Sequence, residues 1–340
     1  MRPVPTAALI VALCGTAVAA PGKLTYQDKA MGTNVSVWFW TDKEADAAKA
    51  AEAMFGEIKR LDREMTTWLP DSDLSRINSA AGVKPVAVSD ESITVIQRAI
   101  DVSKRSNGVF DITVQAFHGL WKFDEDMDGS LPDQDEVKKR LALIGWKDIV
   151  VNPAKKTVFL KRKGMAITLG GIAKGYAVDK CVALLKAKGF TDFMVQAGGD
   201  MYVAGSKGAD PWVVGIRDPR GPKDSMFAIA PIKDHSFSTS GDYERGFVKD
   251  GVRYHHILDP HTGEPAHASR SVTIRAKDAF TADAWSKVMF IDGWEQGLKI
   301  IKDQKLDDFE AVWVDDQNKI HTTPGIDKDL KRLKEPTPGI

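Results

Sequence analysis

At 340 residues, 43% of them apolar and 28% charged, the chain is long and apolar enough to bury a sizeable core, as one large domain or two smaller ones. Lysine plus arginine balance aspartate plus glutamate at 47 each, so no net field draws the protein to nucleic acid or to an anionic membrane surface. Partners have to be recognised by shape and local chemistry.

Arg2, an apolar run over residues 7–20 and the small residues Ala17-Val18-Ala19 read as a cleaved export signal covering residues 1–19, which predicts a periplasmic protein. Cys14 follows the bulky Leu13, where a lipid-attachment site needs a small residue, so soluble export is favoured over a lipid anchor and any membrane association is peripheral. Without the signal, Cys181 is the single remaining cysteine, and stability rests on the core rather than on an internal disulfide.

Just after Met31-Gly32-Thr33, Val35, Val37 and Phe39 alternate with Ser36, Trp38 and Trp40, the period of a strand. Asp42 is placed to cap a helix whose Ala45, Ala48, Ala51, Phe55, Ile58 and Leu61 recur at helical spacing. Trp68 flanks a Pro-Asp turn in TTWLPDSDLSRIN, where an indole either packs or stacks on a planar ring. Residues 89–106 read as a second helix, with Ile93, Ile96, Ile100 and Val102 near one face and Asn107-Gly108 as its stop. Asp111 lies inside the otherwise apolar VFDITVQAF and needs a partner, either a loop donor or a ligand. Residues 124–130 lack the rest of a calcium loop and read as a solvated acidic turn.

A helix near 133–144 and strands near 149–151 and 157–160 lead into ITLGGIAKGYAVD, residues 167–179, the stretch around which the chain is organised. Gly170, Gly171 and Gly175 let backbone approach a ligand closely, and the N–H groups opening a helix attract an anion. With Lys174 inside it, the turn suits a phosphate or pyrophosphate, although it has neither Rossmann nor P-loop spacing. The helix runs to Lys188. Strands near 194–196 and 202–204 flank Ala197-Gly198-Gly199-Asp200, and more follow near 212–216, 227–232 and 237–239. Short turns between many strands predict an α+β fold with largely antiparallel sheet and flanking helices, one domain over residues 20–330 and a polar tail over 331–340.

YHHILDPHTG, from Tyr254, is the densest titratable cluster, yet its spacing matches no zinc site. His255 and His256 face opposite sides of an extended strand, so only one enters a given site. A helix over 279–290 puts Asp283 and Lys287 on one face, four residues apart, and strands near 311–314 and after Asp316 close the chain.

Taken together, MGT at 31, TWLPDSDLSRIN at 67, GVFDIT at 108, GGIAKGYAVD at 170, GGD at 198, GIRDP at 215, STSGDYER at 238, HILDPHTGEPA at 256 and TADAW at 281 resemble, in this order, the ApbE family of FAD:protein FMN transferases. The resemblance implies FAD held between sheet and loops. It implies a reaction that attaches FMN, through a phosphoester bond, to a Ser or Thr of a target redox protein and releases AMP. By the same resemblance Met31, Trp68, Val109, Phe110, Asp111, Gly170, Ala173, Lys174 and Ile257 are the FAD contacts, the pyrophosphate lies at the glycine turn, and His256 is the general base.

A Mg²⁺ is implied as well, held by the Ala173 carbonyl, the Asp283 carboxylate and a Thr four residues on. Here that Thr is Lys287, and the Asp expected before Leu169-Gly170-Gly171 is Thr168. A charged lysine cannot coordinate a metal. Three readings follow: Lys287 meets FAD as a fixed positive charge in place of Mg²⁺; the metal binds through Asp283 and other oxygens with Lys287 turned away; or the chain is a periplasmic FAD-binding relative that has lost transfer.

Overall fold

The computed structural model describes residues 21–123 and 126–340. The export signal read in residues 1–19 and part of the acidic turn at 124–130 lie outside them. The period of two in the strand Thr33–Thr41 serves two cores at once. Val35, Val37 and Phe39 are fully buried in the main core, while Trp38 and Trp40 on the opposite side pack on a second one.

That strand is second in an eight-stranded sheet, antiparallel throughout. Its order is Gly22–Ala30, Thr33–Thr41, Phe193–Ala197, Asp200–Ala204, His235–Gly241, Ser269–Ala276, Glu310–Asp315 and Ile320–Thr322. Helices Glu44–Met65, Ala173–Ala187 and Ala279–Asp303 bury their apolar faces in the main core against one side. A three-stranded antiparallel sheet of Lys331–Arg332, Met226–Ile232 and Trp212–Arg217 closes the second core on the other. The α+β, largely antiparallel architecture is therefore the one the turn and strand pattern predicts.

Particular expectations shift. The first helix is capped by Lys43 without a side-chain bond, not by Asp42, and its buried stripe is Ala47, Ala50, Ala51, Met54, Ile58, Leu61 and Met65. Ala45 and Ala48, expected on that stripe, are exposed. In a helix this rich in alanine the small side chains mark no face, and the larger residues decide the orientation. The helix Asp90–Arg105 agrees closely with its expected bounds, with the Ser89 hydroxyl accepting the Ser92 N–H as cap. The last helix runs beyond residue 290 to Asp303, past a break at Gly293, whose φ of 74° is open to glycine without strain. The segment read as a polar tail is tied down. Leu333 donates its N–H to the Phe227 carbonyl, and the fully buried Asp218 accepts from Lys334 Nζ and from the N–H and hydroxyl of Thr337.

Two helices bring the central glycine run to its place. At Gly175 the helix Ala173–Ala187 presses so closely on Ala279–Asp303 that a Cβ would strike the Ala279 carbonyl oxygen and come within 2.7 Å of Asp283 Cβ. The Gly175 N–H donates to Asp283 Oδ2 at 2.8 Å. One turn on, Asp179 accepts the N–H groups of Ala279 and Phe280, both at 2.9 Å, and so satisfies donors the second helix leaves open at its start. Burial drives the Asp179 carboxyl up to about 7 against those two bonds.

Gly175→Ala is expected to push the helix pair apart. Overpacking of this kind costs about 1–3 kcal/mol, so calorimetry should show a clear fall in Tm, and an unchanged Tm would disprove the close approach.

Candidate functional site

A carboxylate removed from water must be met by donors or cations where it stands. The helix Ala279–Asp303 carries Asp283 with no exposed side-chain surface, and the strand Asp200–Ala204 opens on Asp200, exposed to only 3%. Between them lies Lys174, its Nζ 3.1 Å from Asp200 Oδ2 and 3.9 Å from Asp283 Oδ2. From one turn along its own helix, Lys287 Nζ donates to Asp283 Oδ1 and, at 2.9 Å, to the Asp283 carbonyl. Gly175 N–H meets the other Asp283 oxygen, and the Ser238 hydroxyl donates to Asp200 Oδ1.

The cluster is layered. The carboxylates lie inside, whereas the Lys174 and Lys287 side chains keep 22% and 19% of their surface. What faces a ligand is ammonium. Burial lowers the Lys174 pKa, but the Asp200 and Asp283 charges outweigh it and raise it overall. Burial raises Asp283, and the Lys174 and Lys287 cations reverse that, holding its carboxyl below the usual range. Lys174 and Asp283 therefore remain charged at neutral pH.

The glycine turn borders this layer. A Cβ at Gly171 would come 3.3 Å from the Phe110 ring and 3.9 Å from Lys287 Cε. Gly170 is exposed, its N–H donated to Thr168 Oγ1 at 3.2 Å, and Lys174 Nζ reaches the Gly170 carbonyl at 3.3 Å. Asn78 pins the run from behind, accepting the Ile167 N–H at 2.7 Å and donating to its carbonyl at 2.9 Å. Ala173 opens the helix and is buried, as are Val109, Phe110 and Ile257.

Asp111 spends its carboxylate on loops. Oδ1 accepts from the N–H and hydroxyl of Thr113 at 2.8 and 2.7 Å, and Oδ2 accepts the Trp146 N–H at 2.9 Å. Burial nevertheless raises its pKa. The expected loop donors are thus in place. Trp68 is 73% exposed, its ring edge-on to His118 at 5.9 Å, on the lip of a cleft of about 340 Å³ lined also by Asn78, Gln115, Arg140 and Ala166. An indole left this open is not packing. Met31 takes φ 52° at the hairpin corner and donates its N–H to Asp62 Oδ2 at 2.7 Å. A Cβ on the neighbouring Gly32 would stand 3.9 Å from Arg245 Nη2.

The two adjacent histidines part company as strand geometry requires. His255 is buried, its Nε2–H donated to the Ala266 carbonyl at 2.7 Å and its Nδ1 accepting the Ile257 N–H at 3.3 Å. Burial pushes it down to about 4, a neutral core imidazole with both nitrogens engaged. His256 is exposed as a residue, although protein mass surrounds its imidazole closely enough for burial to lead its shift. That crowding, followed by the Arg245, His255 and Lys287 charges, holds its pKa below the ordinary imidazole range. An accessible, neutral imidazole next to a cationic patch is equipped to take a proton.

The metal expected at Ala173 and Asp283 finds no suitable donor set. Mg²⁺ demands near-octahedral oxygen ligation, yet both Asp283 oxygens are already engaged, one of them by an ammonium. Among the described residues no group of three or more His, Cys, Asp or Glu is arranged to hold a metal ion. Lys287 is not turned away from Asp283: its ammonium holds Oδ1. Spacing along the chain assigns no role to Asn78, Asp200, Ser238 or Arg245. Their signal was their place inside RIN, GGD, STSG and DYER.

Residues 31–313 match the ApbE family. The chain is 32% identical over 312 residues to an FAD:protein FMN transferase of Treponema pallidum, covering 87% of this chain and 85% of that protein. It is 31% identical over 264 residues to one of Vibrio cholerae, covering 76% and 78%. The fold superposes on the ApbE protein of Thermotoga maritima with a TM-score of 0.82 at 33% identity, covering 91% of this chain and 99% of that one. The flavin transferase ApbE of Vibrio cholerae gives 0.81 at 26%, with the same coverage.

Asp283→Asn keeps the volume and removes the charge that holds two lysines. A lost bond to a charged group is worth about 1–3 kcal/mol, so urea unfolding at neutral pH should show that loss, and an unmoved midpoint would refute the assigned role. Because the folded-state pKa of Asp283 is depressed, its contribution is present above the unfolded value and fades as pH falls, so the gap between wild type and variant should narrow in acid.

Proposed function

Because the chain belongs to the ApbE family, we propose that it is an FAD:protein FMN transferase, moving FMN from FAD onto the hydroxyl of a protein Ser or Thr. What carries this reading is the Lys174–Lys287 ammonium layer at the Gly170–Gly171 turn, together with the exposed His256, whose pKa burial and the Arg245, His255 and Lys287 charges lower. The acceptor hydroxyl attacks the flavin-side phosphorus, its proton passes to His256, and the bond to the bridging oxygen breaks to release AMP. Phosphoryl transfer depends chiefly on positioning and on cations that offset charge developing on the phosphate oxygens. Lys174 and Lys287 face the ligand for that task, while the glycine turn and the N-terminus of the 15-residue helix Ala173–Ala187 receive the pyrophosphate. The exposed Trp68 indole offers a face for one of the planar rings of FAD.

The export signal read in residues 1–19 supports action in the periplasm on an exported or membrane-bound redox subunit. A second reading, an FAD-binding relative without transfer, is favoured by Lys287 on the Asp283 carboxylate and by Thr168 at the turn. Incubation with FAD and an acceptor domain separates the two. Transfer yields covalent flavin fluorescence on the acceptor and free AMP, whereas the binding protein returns FAD intact.

His256→Ala should slow transfer by about 10²- to 10⁴-fold, the usual cost of losing a general base, with FAD affinity nearly unchanged. Since the proton acceptor is the neutral ring and its pKa is depressed, the acid limb of kcat/KM should fall below the ordinary imidazole value of about 6.5. A limb at or above that value, or full activity in the variant, would remove His256 from this role.

A further inference from the structure

We infer that Lys287 is a built-in cation for the pyrophosphate of FAD, so that this chain binds FAD without a divalent metal. The inference rests on the flavin-transferase reading of the site and deepens it. An ordinary ion pair at i, i+4 has both partners on the surface and is worth little. The Asp283–Lys287 pair is different: the carboxylate is wholly buried, the ammonium is not, and a second lysine stands 3.9 Å from the same carboxylate.

Lys287 is held from two sides, through the Asp283 side chain and its carbonyl, which fixes the direction of the ammonium and leaves a third N–H unused by Asp283. Its Cε lies 3.9 Å from the position of a Gly171 Cβ, so the charge is delivered to the turn where backbone can approach an anion. A cation fixed before the ligand arrives loses nothing to reorganisation when charge develops there. A divalent ion at Asp283 would need the oxygen that the Lys287 ammonium holds. Metal and Lys287 therefore exclude one another, and the chain carries the lysine.

FAD titrations followed by flavin fluorescence, in EDTA and in Mg²⁺, test this on wild type, Lys287→Ala and Lys287→Thr. Wild type should bind equally in both buffers. Lys287→Ala should bind about 10- to 100-fold more weakly in EDTA, the value of a charge-assisted contact. Lys287→Thr, which frees the Asp283 oxygen and adds a hydroxyl, should bind tightly only when Mg²⁺ is present. Chelator-sensitive binding by wild type, wild-type affinity in Lys287→Ala, or indifference of Lys287→Thr to Mg²⁺ would each overturn the inference. The wild-type arm needs no variant to fold. Failure of the transferase reading is seen separately, as metal-independent FAD binding with no covalent flavin on an acceptor.

Discussion

A carboxylate with no solvent exposure has to be neutralised where it stands, and in this protein that carboxylate is Asp283. Its partners come from three places: the backbone of Gly175, the side chain of Lys174 and, from its own helix, Lys287. Each partner dictates a feature of the fold. Gly175 has to lack a side chain for the two helices to approach, Lys174 has to enter from the start of its helix, and Asp200 has to bring the sheet alongside to hold Lys174 in place. The helix pair, the central sheet and the glycine turn thus meet at one charge.

The sheet supplies the rest of the frame by serving two cores from opposite faces. The helical core positions the glycine turn, and the second core is closed by the small sheet of strands Trp212–Arg217, Met226–Ile232 and Lys331–Arg332. Around that sheet lie several polar contacts. Asp218 gathers Lys334 and Thr337, and Arg220 pairs in a bidentate bond with the buried Asp242, while Arg253, just ahead of the two histidines, donates to the Ile340 carbonyl. The strand that leads into the two histidines is thereby tied, through Arg253, to Ile340.

Charge is layered rather than merely balanced. Over the whole chain positive and negative residues cancel, yet at the turn the carboxylates are inside and the ammonium groups outside. An anionic ligand meets a positive surface whose counter-charges are already satisfied, so binding leaves no buried carboxylate unpaired. Crowding by the surrounding protein depresses the His256 pKa first, and the Arg245, His255 and Lys287 charges add to it, because positive charge near the ring opposes its protonation.

Much of this was legible in the sequence by itself. Periodicity placed the strand around Val35–Phe39 and the helix Asp90–Arg105, short turns marked an antiparallel α+β fold, and alternation along a strand required that only one of His255 and His256 face the site. The strands Gly22–Ala30 and Ser269–Ala276 went unread, the second because arginines interrupt its apolar pattern near each end. The alanine-rich first helix misled for the opposite reason, since a methyl group marks no face. What one-dimensional spacing could show of Lys287 was that it shares a helix face with Asp283. That the pair lies near Lys174, itself held by Asp200, and beside Gly171 was decided only by the tertiary structure, because those neighbours are brought in from other elements by helix packing and sheet pairing, and the sign and direction of the field at a site depend on where charges lie in space rather than on their order along the chain.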